Sequence, residues 1–254
     1  MSKLPSPAVA KTAFGAFERG VERMMERNHI RTPPNIKITE INTLKSPASY
    51  DINPNDPVGL IEIHSKLATE GATPIAMGTV AHETGHLLAK HTVGIAPLLN
   101  NGLIDVANPF VFTNVPLITS GWRGKLAVGK SLLHNVKQYS EYAKPLTARY
   151  KAQEHEADQI MTHLLGSKED SLKVRRAMTS GSEWMNEFSK LNETTVLSRA
   201  FSPVSQWLQR SSFKKLYGTA EELEHNIAGV DLTDRSHVNR LIAQRYVATM
   251  HVRT

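Results

Sequence analysis

The 254-residue chain contains no cysteine, which excludes a disulfide framework and any thiolate metal site. A metal ion would therefore depend on histidine, aspartate and glutamate. No run approaches the ~20 apolar residues that a membrane-spanning helix needs, because polar residues and prolines interrupt the most apolar segment, 92–120. Residues 1–10 lack the apolar core of a secretory signal. These absences predict a soluble, cytoplasmic protein, with signal-independent export left open.

The net charge is +6, and the basic residues form two small clusters. Lys173, Arg175 and Arg176 make one cluster, and Lys214 and Lys215 make the other. Neither is interleaved with aromatic residues, as a surface that stacks nucleic-acid bases would be. Solvated helix faces are therefore favoured over a nucleic-acid-binding patch.

The most informative pentapeptide is His82-Glu83-Thr84-Gly85-His86. Two histidines four residues apart on a helix project from the same face, so both imidazoles can reach one tetrahedral metal ion. A glutamate directly after the first histidine can take a proton from water at that metal. The pattern predicts His82 and His86 as zinc ligands and Glu83 as the general base. The alternative is a surface helix whose histidines are merely solvated.

The flanking residues predict a helix. Thr73 offers an N-cap and Pro74 the first helical position, whereas Gly94 and Pro97 are stop signals. Gly85 inside the helix costs about 1 kcal/mol relative to alanine. That cost is tolerable if another backbone packs close to it.

Apolar patterning predicts an α+β fold, mostly helical, with a small β-sheet next to the motif helix. We expect a single domain, 1–254, with a motif-bearing core over about 36–165 and a helical C-terminal part over about 166–254. The predicted strands are 36–41, 48–52 and 58–63. The other predicted helices are 6–28, 123–143, 145–165, 169–190, 203–217, 219–228 and 234–250.

Two histidines do not complete a catalytic zinc site, which usually has three protein ligands. Glu154 and Asp158 are four residues apart on the helix after Pro145 and therefore share a face. Glu154 can ligate the metal while Asp158 accepts a hydrogen bond from the outer nitrogen of a liganding histidine. Glu156 points about 200° away around the helix, so replacing it should leave the zinc content nearly unchanged. The alternative interpretation is an acidic, solvated helix turn.

Segment 82–91, followed by Glu154-x-x-Ala157-Asp158, resembles the motifs of the HtpX-like zinc metallopeptidases. These gluzincins include the CAAX prenyl endopeptidases, the BepA-type periplasmic proteases and the mitochondrial OMA-type proteases. Segment 59–63 resembles the family's Gly-x-Ile-x-Val strand along the cleft. The resemblance covers about residues 45–165 and implies a zincin-like fold with one zinc ion per chain. It also implies that His91 is structural rather than a ligand.

Segment 233–241 resembles the family's Thr-His-Pro…Arg segment, in which the histidine and arginine approach the cleft. Asp234 and Arg235 stand where histidine and proline are usual, whereas Arg240 keeps the arginine position. The resemblance implies that Arg240, with His237 and Asp234, supplies a transition-state or gating group. The membrane-bound members of the family have transmembrane helices, and this sequence resembles a compact member without them.

The sequence thus predicts a soluble zinc metalloendopeptidase acting on a protein or peptide substrate. We expect substrate to add as a strand beside residues 58–63, with segment 92–120 acting as a partial lid or as a plug. A second hypothesis is a catalytically silent or latent metal-fold protein that binds a partner, although the intact Glu83 argues against it. A third, based only on charge, is a nucleic-acid-binding protein.

Overall fold

The computed structural model describes residues 7–39, 47–53, 56–91, 148–179, 183–191 and 218–252. The strands in these residues are β1 (Asn35–Thr39), β2 (Ala48–Asn53) and β3 (Asp56–His64). The helices are α1 (Pro7–Arg27), α2 (Ser65–Ala68), α3 (Pro74–Leu88), α4 (148–165), α5 (Lys168–Met178), α6 (Glu183–Leu191), α7 (Ala220–Ala228) and α8 (Ser236–Val252). The predicted α+β, mostly helical class is confirmed. Segments 92–120, 123–143 and 203–217, with Lys214 and Lys215, lie outside the described residues.

The three strands form one sheet in the order β1-β3-β2. β1 runs parallel to β3, with Asn35 opposite Leu60, and β2 runs antiparallel to β3, with Ala48 opposite Ile63. Ile61 and Ile63 of β3 are fully buried. The prediction that substrate adds beside residues 58–63 is therefore wrong, because both edges of this strand already pair with neighbours. Its β-branched residues are those of an interior strand.

The motif helix α3 begins as predicted. Thr73 is its N-cap, with a side chain that accepts a hydrogen bond from the backbone N–H of Ala76, and Pro74 follows. The helix ends at Leu88, before the predicted stop signals. Lys90 adopts the left-handed conformation, with φ of 53°. The N–H groups of Lys90 and His91 then donate to the carbonyls of Leu87 and His86. This Schellman turn folds the chain back beside the helix.

Helix α3 packs against α1, α5 and two strands of the sheet, and most of its residues are buried. Its closest neighbour at the motif is α4. A Cβ atom at Gly85 would lie 3.0 Å from the carbonyl oxygen of Ala157 and 3.2 Å from its Cα. Gly85 therefore has the closely packed backbone that the sequence analysis required of it. This contact brings the two helices together where the motif residues lie.

Among the described residues of the C-terminal part, one predicted element differs from the structure. The single helix predicted over 169–190 is two helices, α5 and α6. Helix α5 ends at Met178, since Thr179 has an extended backbone with φ of −83° and ψ of 162°. Ser180, Gly181 and Ser182 follow, and such residues favour loops over a continuing helix. Within the described residues, no helix is both long and apolar enough to cross a membrane.

Candidate metal centre

Three buried side chains from two helices converge at one point. His82 and His86 lie one turn apart on α3, and Glu154 comes from α4. Nε2 of His82 lies 3.1 Å from Nε2 of His86 and 3.1 Å from Oε2 of Glu154. Nε2 of His86 lies 3.3 Å from Oε1 of Glu154. We call His82, His86 and Glu154 the donor triad.

The spacing of the donor triad fits a tetrahedral metal ion. Imidazole and carboxylate ligands lie about 2.0–2.2 Å from zinc, which places tetrahedral donor atoms roughly 3.4 Å apart. The two Nε2 atoms lie 3.1 Å apart, and each lies 3.1 or 3.3 Å from one of the two Glu154 oxygens, which is close to that value. The three residues are between 3% and 9% exposed. Because donor atoms buried this close together need either a proton or a metal cation between them, the triad could hold a metal ion.

Without a metal ion, a proton on His82 balances the charge of the site. Burial opposes this proton, but hydrogen bonds to Asp158 and Glu154 outweigh burial and raise the pKa of His82 to about 10. Burial lowers the pKa of His86. Burial also opposes the charge of Glu154, yet His86 and His82 hold the pKa of that carboxyl well below its ordinary value. A metal ion entering the triad must therefore displace the proton of His82.

Asp158 holds the outer nitrogen of His82. Oδ1 of Asp158 lies 3.1 Å from Nδ1 of His82. This contact keeps the Nδ1 proton on the outer side, so that Nε2 presents its lone pair to the triad. Nη2 of Arg175, from α5, donates to both oxygens of Asp158 at 2.6 Å. Asp158 and Arg175 are both buried, so they form an ion pair behind the first histidine.

Glu83 lies beside the triad in a cleft that it shares with His82 and Asp158. The rest of the cleft wall is mainly apolar and comes from the start of β2 with the residue before it, and from α3, α4 and α5: Pro47, Ala48, Thr79, Met161, Val174, Arg175 and Met178. Burial raises the pKa of Glu83 to about 7, with smaller opposing effects of His82, which lowers it, and Glu154, which raises it. A carboxyl group with that pKa can take up and return a proton near neutral pH.

A chain of polar contacts leads away from the second histidine of the triad. Nδ1 of His86 lies 2.8 Å from Nδ1 of His91. Nε2 of His91 lies 3.1 Å from Oε2 of Glu156, whose Oε1 lies 3.2 Å from Nε2 of His237. Nη2 of Arg240 lies 2.9 Å from Nδ1 of His237. Glu156 is therefore outside the donor triad, but it is connected to the triad through His91.

The three residues suggested by the C-terminal resemblance lie around helix α8. His237 contacts Glu156 rather than the donor triad, and Arg240 contacts His237. Asp234 accepts a hydrogen bond from the backbone N–H of Ser236, at the start of α8. The structure thus brings His82, Glu83, His86, Glu154 and Asp158 together. It places Asp234, His237 and Arg240 outside that group.

Two residues of the site were missed in the sequence. Arg175 was assigned to a solvated basic cluster, but it is 4% exposed and pairs with Asp158. Its position on the buried face of α5, one residue after buried Val174, is the pattern that could have identified it. Tyr50 of β2 stacks on the ring of His86, with centroids 4.7 Å apart, and its hydroxyl donates to the backbone carbonyl of His91. No local pattern marks that contact.

Comparison of the chain with protein-family models, with curated proteins and with solved structures finds no match.

Proposed function

We propose that the protein is a zinc-dependent metallopeptidase with a zincin-like fold, related to the HtpX-like gluzincins that its motifs resemble. The observation that carries the proposal is the donor triad: two histidines of one helix and a glutamate of another present three donor atoms within 4.8 Å of one another. Glu83 shares a cleft with His82, the first histidine of the triad. Imidazole and carboxylate donors without thiolate are typical of catalytic zinc rather than structural zinc.

Each residue of the site has a distinct part in peptide hydrolysis. Zinc in such a site supplies Lewis acidity, polarising a carbonyl group and lowering the pKa of water to about 7. Glu83 takes the proton of the attacking water on its carboxylate and delivers it to the leaving amine. Asp158 keeps His82 in the tautomer that ligates through Nε2. Arg175 in turn holds the Asp158 carboxylate in place.

An extended peptide needs a free strand edge near the triad. Within the described residues, β2 pairs with β3 alone, and its Tyr50 ring lies against His86. The outer edge of β2 therefore replaces residues 58–63 as the proposed place for a substrate strand.

The test is a Glu83→Gln variant assayed with a peptide library, alongside metal analysis of the same preparation. We expect wild-type protein to cleave peptides and the variant to lose activity by at least about 10²-fold, the usual scale for a general base. Zinc content should stay unchanged because the ligands remain. Glu224→Gln, on the exposed face of α7, is the matched control.

Two outcomes would contradict the proposal. If Glu83→Gln cleaves peptides at the wild-type rate, Glu83 is not the base. If wild-type protein binds zinc but cleaves no peptide in the library, the alternative of a silent, partner-binding metal protein is favoured. The nucleic-acid hypothesis loses support, since Arg175 of the basic cluster is buried and paired with Asp158.

A further inference from the structure

The second histidine of the triad needs a partner for its outer nitrogen. To ligate through Nε2, a neutral imidazole must carry its single proton on Nδ1. Asp158 accepts the corresponding proton of His82. For His86, the atom in that position is Nδ1 of His91, at 2.8 Å. An imidazole is an ambiguous partner, because either of its nitrogens can be the donor or the acceptor.

The tautomer of His91 therefore decides whether its Nδ1 can accept a hydrogen bond from His86. If His91 carried its proton on Nδ1, two N–H groups would point at each other. His86 could then only accept at its Nδ1, which would move its own proton to Nε2 and remove the lone pair that ligates the metal. If His91 carries its proton on Nε2, Nδ1 can accept from His86. The carboxylate of Glu156 lies 3.1 Å from Nε2 of His91 and can only accept a hydrogen bond when ionised. Glu156 thus selects the tautomer that lets His91 accept from His86.

The fold holds both members of this pair in place. The Schellman turn after α3 returns His91 to the side of His86, with the backbone N–H of His91 donating to the carbonyl of His86 at 3.0 Å. The hydroxyl of Tyr50 donates to the carbonyl of His91. Glu156 lies on α4, two residues after Glu154, and its second oxygen lies 3.2 Å from Nε2 of His237. His91 is 4% exposed, so water does not compete freely for its ring.

We propose that His91 and Glu156 are positioning residues of the metal centre: Glu156 fixes the tautomer of His91, and His91 in turn holds His86 with its Nε2 lone pair facing the metal. The proposal rests on the proposed metal site. The position of Glu156 around the helix led to the expectation that replacing it would leave zinc binding nearly unchanged. The positioning role predicts a loss instead. The carboxylate points away from the triad, yet it acts on the triad through His91.

The experiment measures zinc affinity by competition with a chromophoric chelator, in the full chain. Replacing the outer hydrogen-bond partner of a metal-binding histidine typically costs 10–100-fold in metal affinity. We expect a loss of about that size for His91→Ala and a loss in the same direction for Glu156→Ala. In His91→Asn, the amide oxygen stands about where Nδ1 was and accepts a hydrogen bond with no tautomer to choose, so wild-type affinity should return.

The decisive comparison is the Glu156→Ala change in two backgrounds. In wild-type protein it should weaken zinc binding, and in His91→Asn protein it should have no effect, because asparagine no longer needs Glu156. A purely structural role for Glu156 would give the same loss in both backgrounds. Glu224→Ala, which removes an exposed glutamate from α7, is the matched control and should leave the affinity unchanged.

Different outcomes would overturn the positioning role of His91 and Glu156 and the metal site itself. Wild-type affinity in Glu156→Ala, equal losses in the two backgrounds, or a His91→Asn variant as weak as His91→Ala would each overturn the positioning role. A wild-type protein that binds no zinc would instead overturn the metal site itself. Thermal unfolding of each variant identifies any loss of zinc affinity that comes from misfolding. If His91→Ala does not fold, Glu156→Ala in the wild-type and His91→Asn backgrounds still tests whether Glu156 acts through His91.

Discussion

Gly85→Ala is a sensitive test of how α3 and α4 position the donor triad. The added Cβ would lie 3.0 Å from the carbonyl oxygen of Ala157, 3.2 Å from its Cα and 3.3 Å from Cβ of Ile160. Ordinary contacts between carbon atoms are about 3.5–4.0 Å, so α4 must move outward by roughly 0.5 Å. Alanine gains about 1 kcal/mol of helix propensity, whereas overpacking of this kind costs about 1–3 kcal/mol. The expected net loss of stability is therefore about 0–2 kcal/mol.

The effect on metal binding should be clearer than the effect on stability. Glu154 lies on α4, and metal–ligand distances tolerate deviations of only about 0.2 Å, so a shift of about 0.5 Å should weaken zinc binding. Chelator competition and urea unfolding, applied to the same preparation, measure the two effects. Gly229→Ala is the control, because nothing lies within 4 Å of a Cβ added there. A Gly85→Ala protein about 1 kcal/mol more stable than wild type, with unchanged zinc affinity, would refute the close-packing argument.

Two further predictions concern the surroundings of the triad. Arg175→Met removes the guanidinium partner of the buried Asp158 carboxylate, which among the described residues keeps only its contact with His82, and should cost about 3–5 kcal/mol of unfolding free energy. Arg176→Met, at the exposed next position, should stay within about 0.5 kcal/mol, and equal effects would contradict the buried pair. In metal-free protein the raised pKa of His82, about 10, gives stability that is fully present below its unfolded value of 6.5 and is lost as pH rises through 10. Urea unfolding with a chelator present should show this fall in unfolding free energy at high pH. The His82→Gln variant should show a weaker dependence of unfolding free energy on pH.

The site was predictable where its residues follow local rules. The two histidines of α3 share a face because they are four residues apart, and Glu154 and Asp158 are related in the same way on α4. Thr73 and Pro74 marked the start of α3 correctly. These features depend on spacing within one helix, which the sequence displays directly. The need for a backbone packed close to Gly85 was also anticipated, although the sequence did not identify Ala157 as that neighbour.

The parts that could not be predicted depend on contacts between distant segments. Strand β3 has the same local pattern as an edge strand, and only its pairing with both β1 and β2 shows that it is central. The sequence suggested that Arg175 is a surface charge, because no local pattern shows that α5 packs this residue against Asp158 of α4. His91 and Glu156 are 65 residues apart in sequence, and no spacing rule joins them. The Schellman turn that returns His91 to His86 uses Lys90, where glycine is the usual sequence signal.

The most direct test of the central claim is the zinc content of the protein after loading with zinc and exhaustive dialysis, measured by elemental mass spectrometry. The account predicts one zinc ion per chain in wild type and a large loss in Glu154→Ala, whose side chain completes the triad. Glu224→Ala, exposed on α7, should keep the full content. Wild-type protein without zinc, or a Glu154→Ala variant that retains one ion per chain, would contradict the assignment of this triad as a metal centre.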